Sequence, residues 1–391
     1  MNTPRRRIPV SGRGTDLPSY VLLAVLVIAV SGGRVGGSAK AEGKAAPDAG
    51  EATAGETWQD IMPAAFRPFQ PRFPVAKQDG GPTVLALQQV LDRAGFSPGV
   101  IDGRWGKNTE KALSWLQDGL GLEPTGVIDA ALYERIRRTA GTQSPVTTYR
   151  VSTADLAGPF TAIPEGYQEK AALSGLEYGS IAEALAERFH TTVDLLAKLN
   201  PAADFDQLAP GAELLVPDVV PLEIIFAGEG GAATASTQDS TTVAAIVISK
   251  SGFYLHAVDA EERVIFHAPT TVGAGYDPSP TGEVTVTEIT YNPTFHYQPE
   301  LFAEVPDDDA TALLPAGPNS PVGVVWIALS LEHFGIHGTA DPSTIGYSTS
   351  HGCVRLTNWD AQALAGLLSA GIPVVFRGDH PDDQAAGREG R

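Results

Sequence analysis

The chain has 391 residues, a formal net charge of −19, 43% apolar residues and a single cysteine. That acidity argues against nucleic acid or anionic lipid as the partner, because both recruit basic patches. One cysteine excludes a disulfide within the chain, and the length allows two or three domains.

The N-terminus carries Arg5, Arg6, Arg7 and Arg13, followed by an unbroken apolar run from Tyr20 to Val30. That run is shorter than the ~20 residues of a membrane span. Ala39-Lys40-Ala41 supplies a small-x-small cleavage pattern, so residues 1–41 read as a secretory signal peptide, with a retained anchor as the alternative. The protein is therefore expected to be exported, to the periplasm or cell envelope, where disulfides persist. Residues 42–80 are rich in Ala, Gly, Glu and Pro and read as a flexible linker.

Residues 81–138 change character. Val84, Leu87, Leu91 and Ala94 share one helical face. Pro98-Gly99 and Asp102-Gly103 then mark a loop. Asn108 or Thr109 is placed to cap a second helix, whose Ala112, Leu113, Leu116 and Leu120 share a face, and Asp129 to cap a third. The run LQQVLDRAGFSPGVIDGRWGKNTEKALSWLQDGLGLEPTGVID resembles the peptidoglycan-binding domain of the "domain 1" family, which implies cell-wall binding.

Between 149 and 219 two short helices are expected. One carries Ile181, Leu185 and Phe189, the other Val193, Leu196 and Leu199, and Thr191 or Thr192 separates them. LAPGAELLVP adds a turn and a strand, and Tyr149-Arg150-Val151 a strand upstream. This order resembles a LysM module, a family in which many members bind N-acetylglucosamine-containing glycans. The stretch 152–180 is longer than usual for one. His190 reads as structural. Residues 220–243, rich in Gly, Ala, Ser and Thr, read as a second linker.

From Ala244 the pattern turns to strands: AAIVIS, GFYLHAV, RVIFHAPTTVG, EVTVTEIT and VGVVWIALS. His256, His267 and His296 read as ordinary core or surface residues. A helix, DAQALAGLLSAG, places Leu364, Leu367 and Leu368 on one face with Gly371 as its C′ residue. The strand IPVVF follows, and residues 378–391, with His380, read as a disordered tail.

The cysteine lies in STSHGCVRL, between polar and flexible residues rather than in an apolar run. A thiol of ordinary pKa, about 8.5, is mostly protonated at neutral pH. A neighbouring imidazole can take that proton and give a thiolate–imidazolium pair. His337 and His351 both stand near Cys353 in sequence, and an extended 351–353 would put His351 on the face of Cys353. Spacing therefore leaves both histidines open as the base. Gly352 permits a tight turn that brings N–H groups to an incoming carbonyl. A metal site built from His333, His337, His351 and Cys353 is not expected, because FGIHGT is not helical. No metal and no cofactor are expected.

From about Ala244 to Arg377 the chain resembles the catalytic domain of L,D-transpeptidases, the YkuD-type fold. The resemblance rests on PSPTGEV, YNPTFHYQP, LPAGPNSPVGVVWIAL, GIHGT, IGYSTSHGCVRLTN and GIPVVF. It implies a multi-domain α+β protein: a mainly β catalytic domain at 244–377, preceded by a three-helix peptidoglycan-binding domain and a small LysM-like βααβ module. It implies His337 as general base and Cys353 as nucleophile. The backbone of His351, Gly352 and Cys353 would form the oxyanion hole, while Ser350 and the Gly338 backbone orient the pair. Arg355 would hold a substrate carboxylate, with a surface ion pair as the alternative.

The implied reaction is acyl transfer through a thioester at Cys353. D-Ala leaves a tetrapeptide stem, and an amine of a second stem resolves the thioester. Water, a free D-amino acid or a lysine of a wall-anchored protein are alternative acceptors; a non-catalytic wall-binding protein is the alternative of another class. The expected partners are peptidoglycan stem peptides and glycan strands, not nucleic acid. FAEVPDDDATALLPAGPNS is expected to contribute to a lid.

Overall fold

The computed structural model describes residues 58–61, 69–75, 80–224, 243–275, 278–301 and 310–378. The signal segment expected at 1–41, most of 42–80, the linker core at 225–242, the acidic part of the lid stretch at 302–309 and the tail beyond 378 lie outside these residues.

Helices α1 (Trp58–Ile61), α2 (Pro82–Arg93), α3 (Lys107–Gly119) and α4 (Ala130–Thr139) make the first part of the fold. Val84, Leu87 and Leu91 of α2 bury against Leu113, Leu116, Tyr133 and Ile136. The opposite side of α2 is buried too, because Leu85 joins a second core and Gln89 Nε2 donates to the Asp218 carbonyl at 2.6 Å. Asp129 caps α4, accepting from Leu132 N at 2.8 Å. The cap expected for α3 is different. Gly106 holds that position, and Asn108, inside the first turn, donates from Nδ2 to the Ile345 carbonyl at 2.9 Å. Its side chain is committed to another part of the chain. Nor are all of residues 42–80 a spacer: Ile61 is buried, and Val75 pairs with Ile128.

Strand β1 (Val146–Arg150) pairs antiparallel with β2 (Glu213–Pro217), from Val146↔Pro217 to Arg150↔Glu213. Between them run α5 (Tyr167–Ala171), α6 (Ile181–Arg188) and α7 (Val193–Leu199). Ile181, Leu185, Phe189, Leu196 and Leu199 form the core as expected, but Val193 is exposed and Leu195 takes its place. Thr192 caps α7, accepting from Leu195 N at 3.0 Å, which puts Val193 at the solvent side of the first turn. The long stretch before α6 reaches over to the next part of the chain, where Leu176 buries with Tyr297 and Leu314.

The C-terminal part is a mixed eight-stranded sheet. Its strands are β3 (Ala245–Ser249), β4 (Tyr254–Val258), β5 (Val264–Pro269), β7 (Gly282–Tyr291), β10 (Val325–Leu329), β11 (Gly335–His337), β13 (Val354–Arg355) and β14 (Pro373–Arg377). They lie in the order β13-β11-β10-β7-β14-β3-β4-β5. Only β11/β13 and β14/β3 are parallel. Two small pairs stand apart: β6 (Val272–Gly273) with β12 (Thr349–Ser350), and β8 (Phe295–Tyr297) with β9 (Ala312–Leu314). Helix α8 (Asn358–Ala365) lays Trp359, Ala361 and Leu364 into the core of the sheet. It ends earlier than the sequence suggests: Gly366 is its C-cap, and Leu368 turns back into the core. Gly371, at φ +94°, instead leads into β14.

The three parts share buried faces. His267 of β5 exchanges backbone hydrogen bonds with the first part: its carbonyl accepts from Ser97 N at 2.8 Å, and its N–H donates to Gly95 O at 2.9 Å. His190 Nδ1 lies 2.9 Å from Asp92 Oδ2, and the His190 ring stacks on Trp359 at 5.0 Å. His190 thus has the structural place expected of it. Leu222 and Val243, at the edges of the expected second linker, are buried in the sheet's core.

Candidate active site

The sheet edge sets the site. In the parallel β11/β13 pair, Ile336 faces Val354 and His337 faces Arg355. Ile336 and Val354 are buried in the core, so alternation sends His337 and Arg355 to the other face. Cys353 directly precedes β13, at the end of the 351–353 bend. Trp326 of β10, opposite His337, stacks on its ring at 5.3 Å with an interplanar angle of 21°.

His337 is buried, and its Nδ1 lies 2.7 Å from the Gly338 carbonyl. A carbonyl only accepts, so Nδ1 carries the proton and Nε2 is the acceptor. Burial pushes the imidazole pKa down to about 3; the Arg355 charge adds to this, and the Gly338 bond opposes it. The imidazole is therefore neutral at rest and able to take up a proton. Cys353 Sγ donates to the His333 carbonyl at 3.6 Å.

The segment 351–353 is a bend, so an extended stretch with His351 on the Cys353 face is not what forms. Gly352 takes φ +97°, a left-handed conformation that suits glycine. A methyl group there would also meet Phe334 Cε1 at 2.8 Å. Ser350 is buried and donates from Oγ to the Cys353 carbonyl at 2.5 Å. The Arg355 backbone is fixed as well: its N–H donates to Thr271 O at 2.9 Å, and its carbonyl accepts from Thr270 Oγ1 at 2.7 Å.

Two further residues build the site without having been singled out from the sequence. Ser279 is buried; its Oγ donates to the Gly352 carbonyl at 2.6 Å and accepts from Gly273 N at 2.8 Å. Asn358 is buried, and its Oδ1 accepts from Thr339 N at 3.2 Å, directly after Gly338. Both stand inside stretches that carry the family resemblance, PSPTGEV and RLTN, which is the signal that marks them. Ser279→Ala leaves the Gly352 carbonyl and Gly273 N each short of a buried partner, a cost of about 1–3 kcal/mol. A melting curve is expected to show that loss together with slower modification of Cys353; an unchanged variant would mean that the turn is held without Ser279.

Among the described residues, no group of three or more His, Cys, Asp or Glu side chains is arranged to hold a metal ion.

A family model described as the L,D-transpeptidase catalytic domain, YkuD, matches residues 243–376, and one described as "Putative peptidoglycan binding domain" matches residues 80–136. The "Putative L,D-transpeptidase YkuD" of Bacillus licheniformis is 26% identical over 196 residues, covering 50% of this chain and 93% of that protein. Its Bacillus subtilis counterpart is 24% identical over 201 residues, covering 51% of this chain and 96% of that protein. A crystal structure of the L,D-transpeptidase from Xylanimonas cellulosilytica aligns at 16% identity and a TM-score of 0.32, covering 80% of this chain and all of that one. The chain is an enzyme of the L,D-transpeptidase class. Residues 243–376 are its YkuD catalytic domain, and a peptidoglycan-binding domain precedes it at 80–136.

Proposed function

We propose that this enzyme is exported and forms peptidoglycan cross-links through a thioester at Cys353. What carries the reading is the place of Cys353 directly before β13, the strand that pairs in parallel with the one ending at His337, with His337 Nδ1 tied to the Gly338 carbonyl and Nε2 left to accept a proton. Cys353 Sγ attacks the carbonyl carbon of the stem's third residue as the thiol proton passes to His337 Nε2. The backbone N–H groups of the 351–353 bend stabilise the oxyanion. His337 returns the proton to the departing amine, and D-Ala leaves. An amine of a second stem then attacks the thioester, giving a new amide and restoring the thiol. Arg355, on the face of His337, holds a substrate carboxylate.

The peptidoglycan-binding domain holds the enzyme to the wall. Residues 149–219 act as a LysM-like glycan-binding module, a reading supported by the pairing of β1 with β2 around the helices α6 and α7. Water or a wall protein's lysine as acceptor would use the same thioester.

Intact mass after brief incubation with a disaccharide-tetrapeptide tests the chemistry. The purified protein is expected to gain the donor mass minus D-Ala, and Cys353→Ala to gain nothing. A folded wild type that forms no adduct and releases no D-Ala would leave a wall-binding protein with a catalytically idle cysteine.

A further inference from the structure

We infer that Glu187, supplied by α6 outside the catalytic domain, is a positioning residue for His337 that acts through Asn358. The inference rests on the reading of His337 as the base.

The connection is short. Glu187 is buried, and its Oε1 accepts from Asn358 Nδ2 at 2.8 Å. The same Nδ2 donates to the Pro318 carbonyl at 3.2 Å. On its other side, Asn358 Oδ1 accepts from Thr339 N at 3.2 Å and from Val324 N at 3.1 Å. Gly338, between Thr339 and His337, donates its own N–H to Val325 O at 3.2 Å, and its carbonyl holds His337 Nδ1 at 2.7 Å. The Asn358 amide thus clamps the two backbone segments that fix the imidazole.

Space enforces the clamp. A methyl group on Gly323 or on Gly338 would overlap Asn358 Oδ1, so the amide sits where two glycine backbones meet and cannot shift toward either. Orientation is what Glu187 supplies. Two acceptors, the Glu187 carboxyl and the Pro318 carbonyl, face Nδ2, while two N–H donors face Oδ1. Removing the carboxyl takes away one of the four groups that distinguish the amide's ends. A flipped amide would set NH₂ against the N–H groups of Thr339 and Val324, and that segment would move. Glu187 is held in turn by a side-chain hydrogen bond with Tyr178. The catalytic base therefore depends on a residue contributed by the βα module that precedes the catalytic domain.

The test uses the full chain. Wild type, Glu187→Ala, Glu187→Gln and His337→Ala are compared for acylation of Cys353 by the tetrapeptide donor and for alkylation by iodoacetamide from pH 5 to pH 10. Glu187→Ala is expected to slow maximal acylation by about tenfold or more while moving the half-saturating donor concentration by less than about threefold. Its alkylation–pH curve moves toward that of His337→Ala. Glu187→Gln keeps an oxygen acceptor and stays within about threefold of wild type. Glu187→Asp, which retracts the carboxyl by one methylene, serves where Glu187→Ala fails to fold; the same direction of change is expected.

Two results overturn the inference: a Glu187→Ala variant that acylates like wild type, or Ala and Gln variants equally slowed with wild-type alkylation–pH curves, the mark of a merely structural role. A wild type that forms no adduct removes the Cys–His reading and the inference with it. A normal wild type beside an unaffected Glu187→Ala removes the inference alone.

Discussion

His337→Ala is expected to slow acylation of Cys353 by ~10²–10⁴-fold, the usual contribution of a positioned general base. The imidazole is desolvated and held as its Nδ1–H tautomer by the Gly338 carbonyl, so Nε2 is ready to take the thiol proton at any pH above about 3. Without it, Cys353 is left to its own titration, near pH 8.5 for an ordinary thiol. Single-turnover acylation followed by mass gives the rate, and alkylation against pH gives the thiol's reactivity. The acid limb of kcat/KM should also fall below pH 6.5, where an unperturbed histidine would protonate. A limb at 6.5, or a His337→Ala variant within a few-fold of wild type, would assign the proton transfer to another group.

The second large effect concerns stability against pH, and it comes from the junction of the three parts. Asp360, in the first turn of α8, is buried and accepts from Thr357 Oγ1 at 2.7 Å and Ser97 Oγ at 3.0 Å. Burial pushes its pKa up to about 7; the two hydroxyl bonds oppose the rise, and Asp92 adds to it. A carboxyl whose folded pKa is raised contributes stability that is complete below its unfolded value, ~3.9, and lost as pH climbs through about 7. Asp360→Asn removes the ionisation, so its benefit relative to wild type should grow between pH 4 and pH 8 by on the order of 4 kcal/mol.

Histidines act in the opposite sense. Burial lowers the pKa of His256 to about 3, and its Nε2 lies 3.0 Å from Nδ1 of the equally buried His267. That pair stabilises the fold above ~6.5, and its contribution is lost as pH falls toward 3. Denaturant unfolding at pH 4, 6 and 8 should therefore give a maximum near the middle. An Asp360→Asn benefit that does not change with pH would show that the carboxyl titrates in the folded protein as it does in the unfolded chain.

Much of this was legible in the residues. Apolar spacing located α2, α3, α6 and α7, the Asp129 cap located α4, and β-branched runs located the strands, because most of these elements bury one regular face. An assignment of His337 to Cys353 was not legible from spacing, since the parallel register that brings β11 beside β13 is a long-range fact. The family resemblance supplied it. What the sequence hid were contacts between parts. Asn108 looked like a cap because Asn is a good one, yet its side chain reaches Ile345. Val193 looked like a core residue because its spacing fits, yet it occupies an exposed first turn. Ser279, Glu187 and Asn358 have no periodicity to betray them; each matters through bonds to residues distant in the chain.

The buried seams joining the three parts have a consequence for how the enzyme would work on a wall. A module on a slack tether lets its catalyst roam, and any stem within reach is a candidate. Here the backbone exchange between Gly95–Ser97 and His267, and the stack of His190 on Trp359, fix the span from the wall-binding helices to Cys353. On the proposed function the protein behaves as a calliper. Gripping one site on the sacculus sets the distance at which the next stem must lie, so the spacing of cross-links would be written into the protein rather than left to chance.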